Sequence, residues 1–95
     1  MKEADIEARL VRLVQERGGL CWKFVSPGNA GVPDRIVITP SGRTIFVELK
    51  TRNGRLSPRQ RRQIQALRLR GADARVLYGL EQVRAFVEEV LPHEI

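Results

Sequence analysis

Long apolar runs, cysteine pairs and aromatic residues are all scarce in this 95-residue chain, and each scarcity excludes a class of protein. No apolar run approaches the roughly 18 residues that cross a bilayer, and the first residues lack the apolar stretch of a signal peptide. The lone cysteine, Cys21, cannot form an internal disulfide, and Cys21 with His93 offers too few ligands for a structural zinc site. One tryptophan, one tyrosine and three phenylalanines are too few to indicate a protein that stacks single-stranded bases. We therefore expect one cytoplasmic globular domain without membrane contacts.

Positive charge is concentrated in one part of the chain. The sequence has 17 basic and 11 acidic residues, which gives a net charge of +6. Between Leu49 and Ala72 no acidic residue occurs, so the whole positive excess lies in this segment. Such a segment attracts polyanions, most often nucleic acid, although a solvated basic helix face has the same composition. Its basic residues are Lys50, Arg52, Arg55, Arg59, Arg61, Arg62, Arg68 and Arg70.

The pattern of apolar residues predicts an α/β fold. Ser57, Pro58 and Gln60 form a capping box that begins the second helix. A right-handed crossover through that helix makes the last two strands parallel, and the first three strands are expected to pair antiparallel, which gives a mixed four-stranded sheet flanked by helices. Trp22 and Phe24 are expected in the core. The predicted elements are helices over 3–17, 58–70 and 80–91 and strands over 21–25, 35–39, 44–50 and 74–78.

The turn between the second and third strands predicts which residues face each other. The residues 40–42, Pro-Ser-Gly, suit a three-residue hairpin loop that ends on a glycine with positive φ. Counting pairs outward from this loop places Asp34 opposite Glu48, and Lys50 falls on the same face. Two opposed carboxylates destabilise a sheet unless one is protonated or a cation lies between them. That cation is either Lys50 or a divalent metal such as Mg²⁺ or Mn²⁺, and the remaining alternative is a solvated hairpin end with an ordinary Glu48–Lys50 pair.

The residues around this hairpin resemble a known nuclease signature. Pro33-Asp34, followed after thirteen residues by Glu48-Leu49-Lys50, is similar to the PD-(D/E)XK motif of restriction-endonuclease-like nucleases. The surrounding sequence resembles the VRR-Nuc branch of that superfamily. The resemblance implies an αβββαβα restriction-endonuclease-like core, with residues 1–95 forming a single stand-alone nuclease domain. The runs that carry the resemblance are 31–38, 45–50 and 53–60, together with Gly71.

The resemblance also assigns roles to the motif residues. Asp34 and Glu48 are expected to bind Mg²⁺ or Mn²⁺, with the backbone carbonyl of Leu49 as a third ligand. Lys50 is expected to orient or help deprotonate the attacking water and to stabilise the negative charge that develops. These roles come from the matching positions in the family and require no organic cofactor.

Two further positions match residues that lie near the site in related nucleases. Gln60, on the helix after the ExK strand, occupies the place of a glutamine common in the VRR-Nuc branch. Glu7 has the spacing of the first-helix glutamate of archaeal Holliday-junction resolvases. Glu3 lies one helical turn earlier on the same face, and either acid is also compatible with a purely helix-stabilising role. Of the two, we favour Glu7 as the additional metal ligand.

The function implied by the resemblance is metal-dependent, structure-selective cleavage of DNA. Holliday junctions and related branched DNA, including flaps, are the expected substrates. The rival interpretations are a catalytically silent nucleic-acid-binding or adaptor module on the same fold and a basic RNA-binding domain unrelated to nucleases. The side chains expected to bind DNA phosphates are Arg52, Arg55, Arg59, Arg61 and Arg62.

A homodimer is expected from the symmetry of the substrate. A four-way junction has two-fold symmetry and its symmetric resolution needs two cuts, whereas one domain carries one site. An apolar stripe on the third helix either packs on its own sheet or supplies a face for a second copy. The stripe consists of Val83, Phe86, Val87, Val90 and Leu91.

Overall fold

A computed structural model describes residues 1–93, which form three helices around one four-stranded sheet. The strands lie side by side in chain order; β1–β2 and β2–β3 are antiparallel, and β3–β4 is parallel. The predicted αβββαβα order and the mixed sheet are therefore confirmed. Every helix in this part of the chain is too short or too polar to cross a membrane. The elements are α1 (Glu3–Glu16), β1 (Leu20–Lys23), β2 (Arg35–Ile38), β3 (Thr44–Lys50), α2 (Pro58–Leu69), β4 (Asp73–Tyr78) and α3 (Gly79–Val90).

The hairpin between β2 and β3 has the predicted register. Its pairs run from Ile38 with Thr44 to Arg35 with Val47. The loop closes through the backbone N–H of Thr39, which donates to the carbonyl of Arg43 at 3.0 Å. Gly42 has a φ of +91°, the left-handed conformation that the loop requires. One step beyond the last pair, this register leads to Asp34 and Glu48.

The core lies between the sheet and the helices α1 and α3. From β3, Ile45, Val47 and Leu49 point into it, so the alternating residue Glu48 points to the opposite face. All five residues of the apolar stripe on α3 are buried within the chain. The stripe therefore packs on its own sheet and leaves no apolar face on α3 for a second copy.

Helix α2 lies on the other face of the sheet, where it packs on β4. It begins at the predicted capping box, with Ser57 as N-cap and Pro58 as the first helical residue. Only Ile64 of this helix is fully buried, and the arginines along it face solvent. The helix thus carries its charge on the outside while its first turn lies at the end of the hairpin.

The prediction that Trp22 belongs to the core is wrong, because its side chain is 59% exposed. Neighbouring residues of a strand point to opposite faces, and Cys21 takes the buried face, where α1 packs on β1. Trp22 therefore points to the face on which α2 lies. Because α2 packs on β4, at the opposite edge of the sheet from β1, it does not cover Trp22. Phe24 follows the end of β1 and is half-buried against Phe46, with ring centroids 5.6 Å apart.

Candidate metal centre

Three carboxylates meet at one end of the sheet. Glu3 begins α1, Asp34 immediately precedes β2, and Glu48 lies near the end of β3. One oxygen from each of the three lies within 4.8 Å of the others. The predicted hairpin register explains the approach of Asp34 and Glu48, whereas Glu3 arrives through the packing of α1 against the core.

Glu48 is the buried member of this group, with 1% of its surface exposed. Burial raises its pKa to about 7, and the negative charges of Asp34 and Glu3 act in the same direction, while Lys50 opposes them. Among residues 1–93, nothing forms a hydrogen bond with its buried oxygen Oε1. A buried carboxylate oxygen without a partner is costly, and three convergent carboxylates supply the hard oxygen ligands that Mg²⁺ and Mn²⁺ prefer. The residues present therefore fit a divalent cation.

Lys50 lies on the same face, two residues after Glu48. Its ammonium nitrogen is 3.7 Å from Glu48 Oε2, and its side chain is only 13% exposed. The side chain of Leu49, between them, is buried in the core on the opposite face. This strand end therefore offers a carboxylate, a backbone carbonyl and a cation in three consecutive residues.

Gln60 joins helix α2 to this group. Its side-chain Nε2 donates to Glu48 Oε2 at 3.3 Å, and its Oε1 accepts from the backbone N–H of Ser57 at 2.9 Å. The backbone N–H of Gln60 in turn donates to Ser57 Oγ at 3.1 Å. The capping box therefore fixes which end of the amide faces Glu48, because the oxygen is engaged at the helix start.

Gly31 holds the loop before Asp34 against α2. A Cβ atom at this position would lie 2.7 Å from the carbonyl carbon of Arg59 and 2.9 Å from the backbone nitrogen of Gln60. Its φ is +91°, which also favours glycine. A second contact follows nearby, where Gln63 Nε2 donates to the carbonyl of Ala30 at 3.3 Å. Sequence reasoning identified only a loop here, since glycine and proline do not reveal which element they approach.

Glu7, which we favoured as the additional ligand, lies elsewhere. Its Oε2 accepts from Arg35 Nε at 2.9 Å and from Lys23 Nζ at 3.2 Å. Burial raises the pKa of Glu7, but the hydrogen bonds and charges of Arg35 and Lys23 outweigh burial and hold the pKa below its usual value. The structure brings Glu3 to Asp34 and Glu48 instead, because the sheet end lies at the first turn of α1 and Glu7 is a turn further on. The geometry therefore favours Glu3 over Glu7 as the third carboxylate of the site.

Five arginines extend a basic surface away from the carboxylates. All five side chains are exposed, and in the described part of the chain none forms a salt bridge or a side-chain hydrogen bond. Arg68 and Arg70 differ, since their guanidinium groups donate to the carbonyls of Ala74 and Ala66. The five unpaired side chains are Arg52, Arg55, Arg59, Arg61 and Arg62.

Known proteins match both the sequence and the fold. The profile of the VRR-NUC domain matches residues 25–81. "Putative nuclease p44" of Acyrthosiphon pisum secondary endosymbiont phage 1 is 48% identical over 63 residues, which are 66% of this chain and 68% of that protein. A solved structure described as "VRR_NUC domain" has a TM-score of 0.85 and 33% identity, and the match covers 90% of this chain and 94% of that one. A second, "VRR_NUC domain protein", has a TM-score of 0.72 over 96% and 88% of the two chains, and at 20% identity it shows the fold alone.

The matched segment includes most of the site. Asp34, Glu48, Lys50 and Gln60 lie within residues 25–81, whereas Glu3 precedes them. The profile covers more than half of the chain, and the phage protein shares nearly half of the aligned residues. The chain therefore belongs to the VRR-NUC family of nuclease domains.

Proposed function

We propose that this domain is a divalent-metal-dependent, structure-selective DNA endonuclease and that it cleaves Holliday junctions or related branched DNA. The observation that carries the proposal is the meeting of three carboxylates around Glu48, whose buried Oε1 has no partner among residues 1–93. A catalytically silent binding module has no need of such a costly arrangement beside a lysine.

Each residue of the candidate metal centre has a role in this proposal. Asp34, Glu48 and Glu3 would hold Mg²⁺ or Mn²⁺, with the Leu49 carbonyl beside them on β3. A divalent ion at such a site lowers the pKa of a bound water and polarises phosphoryl oxygens. Lys50 would orient the attacking water and stabilise negative charge on the phosphate, and Gln60 would keep Glu48 in place through its amide N–H.

DNA binding follows from the unpaired arginines of the loop before α2 and of its first turns. The planar guanidinium group forms paired hydrogen bonds with phosphate oxygens. The arginines that face solvent near Gln60 are therefore suited to hold the DNA backbone on either side of the bond that is cut. Contacts of this kind position DNA without reading its sequence.

The proposed cleavage of four-way junctions implies that the domain acts as a homodimer. One chain carries one site, and paired cuts in a two-fold symmetric junction require two sites related by the same symmetry. We therefore expect light scattering at micromolar concentration to give about twice the 10.8 kDa chain mass. A chain that stays monomeric on junction DNA and still makes paired symmetric cuts would contradict this expectation.

The decisive experiment is cleavage of labelled linear, flap and four-way DNA in the presence of Mg²⁺, Mn²⁺ or EDTA. We expect cleavage of branched DNA with either metal, none with EDTA, and none by the Asp34→Asn, Glu48→Gln or Lys50→Ala variants. Glu16→Gln removes an exposed carboxylate of α1 outside the site and is the matched control with normal activity. Near-normal turnover by Glu48→Gln would refute the assignment, and tight binding of DNA without cleavage in any metal would favour the silent adaptor module.

A further inference from the structure

A cavity of about 380 Å³ opens at the end of the sheet where β3 and β4 finish. It lies between the start of α1, the segment after β3 and the first turn of α3. Its volume falls in the range of pockets that hold small organic ligands. The lining residues that matter here are Met1, Ile6, Arg52, Tyr78, Leu80 and Glu81.

Residues on two sides of this cavity are neighbours, by strand pairing or helix spacing, of residues of the candidate metal centre. Tyr78 is the strand partner of Lys50 in the parallel pairing, and Arg52 follows Lys50 by two residues. On the other side, Glu3 lies one helical turn before Ile6 on α1. A DNA strand with a phosphate at the carboxylates would therefore bring a neighbouring nucleoside towards the cavity.

The lining suits an uncharged ring with polar edges better than it suits a phosphate. Ile6 and Leu80 supply an apolar wall, and Tyr78 supplies an aromatic side chain. Arg52 offers hydrogen-bond donors, whereas the carboxylate of Glu81 offers acceptors and repels phosphate. Proteins that bind a nucleobase outside the helical stack use the same combination of apolar contact, stacking and hydrogen bonds to the base edge.

We propose that this cavity binds one unpaired nucleoside next to the phosphate at the metal centre. The proposal rests on the proposed nuclease function and deepens it, because it names the feature of branched DNA that the domain recognises. Extracting a base from an intact duplex costs unstacking and unpairing free energy, and that cost is lowest where bases are already unpaired. An unpaired nucleoside is therefore accessible at a branch point, whereas in a linear duplex the bases are paired and stacked.

The test uses four-way DNA with 2-aminopurine placed in turn at each nucleotide around the branch point. Binding is measured with Ca²⁺ in place of Mg²⁺, since a divalent cation is needed to hold the phosphate among the carboxylates, and gel electrophoresis checks that the DNA stays intact. The readouts are the fluorescence of the base and anisotropy. Glu81→Trp places a bulky ring at the lining of the cavity and changes an exposed residue, so we expect the fold to be preserved, which its melting temperature checks. Ala85→Trp, exposed on the same helix and outside the lining, is the matched control.

With the wild-type chain and with Ala85→Trp, we expect a several-fold rise in fluorescence at one position beside the branch. Glu81→Trp should abolish this rise and weaken binding to four-way DNA by roughly five-fold or more, with linear duplex unaffected. No rise at any position, or a rise that persists in Glu81→Trp, would overturn the proposal. Cleavage with Mg²⁺ is scored separately: cleavage without the rise refutes the cavity and leaves the nuclease function standing. A fluorescence rise that is lost in Glu81→Trp, with no cleavage in any metal, would support the cavity as a nucleoside site and refute the nuclease function.

Discussion

Glu48 makes the stability of the metal-free protein depend on pH. Its pKa is raised from 4.5 to about 7 on folding, so between these values the folded chain binds more protons than the unfolded chain. Stability therefore falls as the pH rises through this window, and the penalty is fully present above pH 7. From pH 5.5 to pH 8 we expect a loss of about 2 kcal/mol in the free energy of unfolding.

Urea unfolding in EDTA at the two pH values measures this loss. Glu48→Gln, which keeps the shape of the side chain and cannot ionise, should show almost none of it. The pKa values of Glu7 and Asp73 are lowered, so these groups titrate below the window and do not contribute. Equal pH dependence in the wild-type chain and Glu48→Gln would show that Glu48 is not the titrating group.

Glu3 and Glu7 offer a comparison of two acids one turn apart on the same helix. Glu3→Gln removes one of the three convergent carboxylates, so Mn²⁺ binding should weaken by roughly ten-fold or more, with little change in stability. Glu7→Gln should leave Mn²⁺ binding intact. It should lower stability by roughly 1–2 kcal/mol, because Arg35 would lose the charge that it pairs with at a part-buried position.

Calorimetric titration with Mn²⁺ and urea unfolding of the two variants separate these effects. The assignment fails if Glu7→Gln weakens Mn²⁺ binding as much as Glu3→Gln does. Such a result would mean that α1 approaches the sheet one turn further along than the structure has it.

Among the elements, the loop before β2 is expected to depend on Gly31 far more than on Gly28. Both glycines have positive φ, so alanine at either position is strained by about 1–2 kcal/mol. A Cβ at Gly28 meets nothing within 4 Å, whereas a Cβ at Gly31 meets the backbone of α2 at 2.7 Å. Gly31→Ala should therefore push α2 away from the hairpin and separate Gln60 from Glu48.

Gly28→Ala is the matched control, because it shares the backbone strain without the collision. We expect Gly31→Ala to lose at least 2 kcal/mol more stability than Gly28→Ala and to lose most of the affinity for Mn²⁺. The two losses are read by urea unfolding and by calorimetry. Similar behaviour of both variants would mean that the loop relaxes without moving the helix.

Local features of the sequence predicted the elements well. The hairpin register followed from a three-residue loop ending at Gly42, and the start of α2 followed from Ser57 and Gln60, because both signals act within a few residues. The exposure of Trp22 was predicted wrongly, and the structure places Glu3, not the favoured Glu7, beside Asp34 and Glu48. Both features depend on where α2 and α1 meet the sheet, which is set by packing between distant parts of the chain.

At the scale of the whole molecule, the unpaired arginines make DNA binding sensitive to salt. The logarithm of the binding constant falls with the logarithm of the salt concentration by about 0.9 for each duplex phosphate neutralised. Replacing Arg59, Arg61 and Arg62 together by alanine should lower this slope by about 2–3 and weaken binding to every DNA sequence alike. Fluorescence anisotropy over a salt series measures the slope.

Arg12→Ala is the control for this experiment. Arg12 is exposed on α1 and pairs with Glu16 one turn later, outside the basic surface. Its replacement should leave the salt slope unchanged. An unchanged slope in the triple variant would exclude α2 as the DNA surface.

The Gln60 side chain is used twice, once by the start of α2 and once by Glu48. Glutamate caps a helix at this point as well as glutamine does, since the carboxylate also accepts from the Ser57 N–H. Glutamate has no N–H for Glu48, however, and brings a further negative charge to the carboxylates. Gln60→Glu should therefore keep the helix cap, lower the melting temperature at neutral pH through repulsion from the buried Glu48, and lose cleavage. The helix start needs a hydrogen-bond acceptor from this side chain and Glu48 needs a donor, and one glutamine amide supplies both.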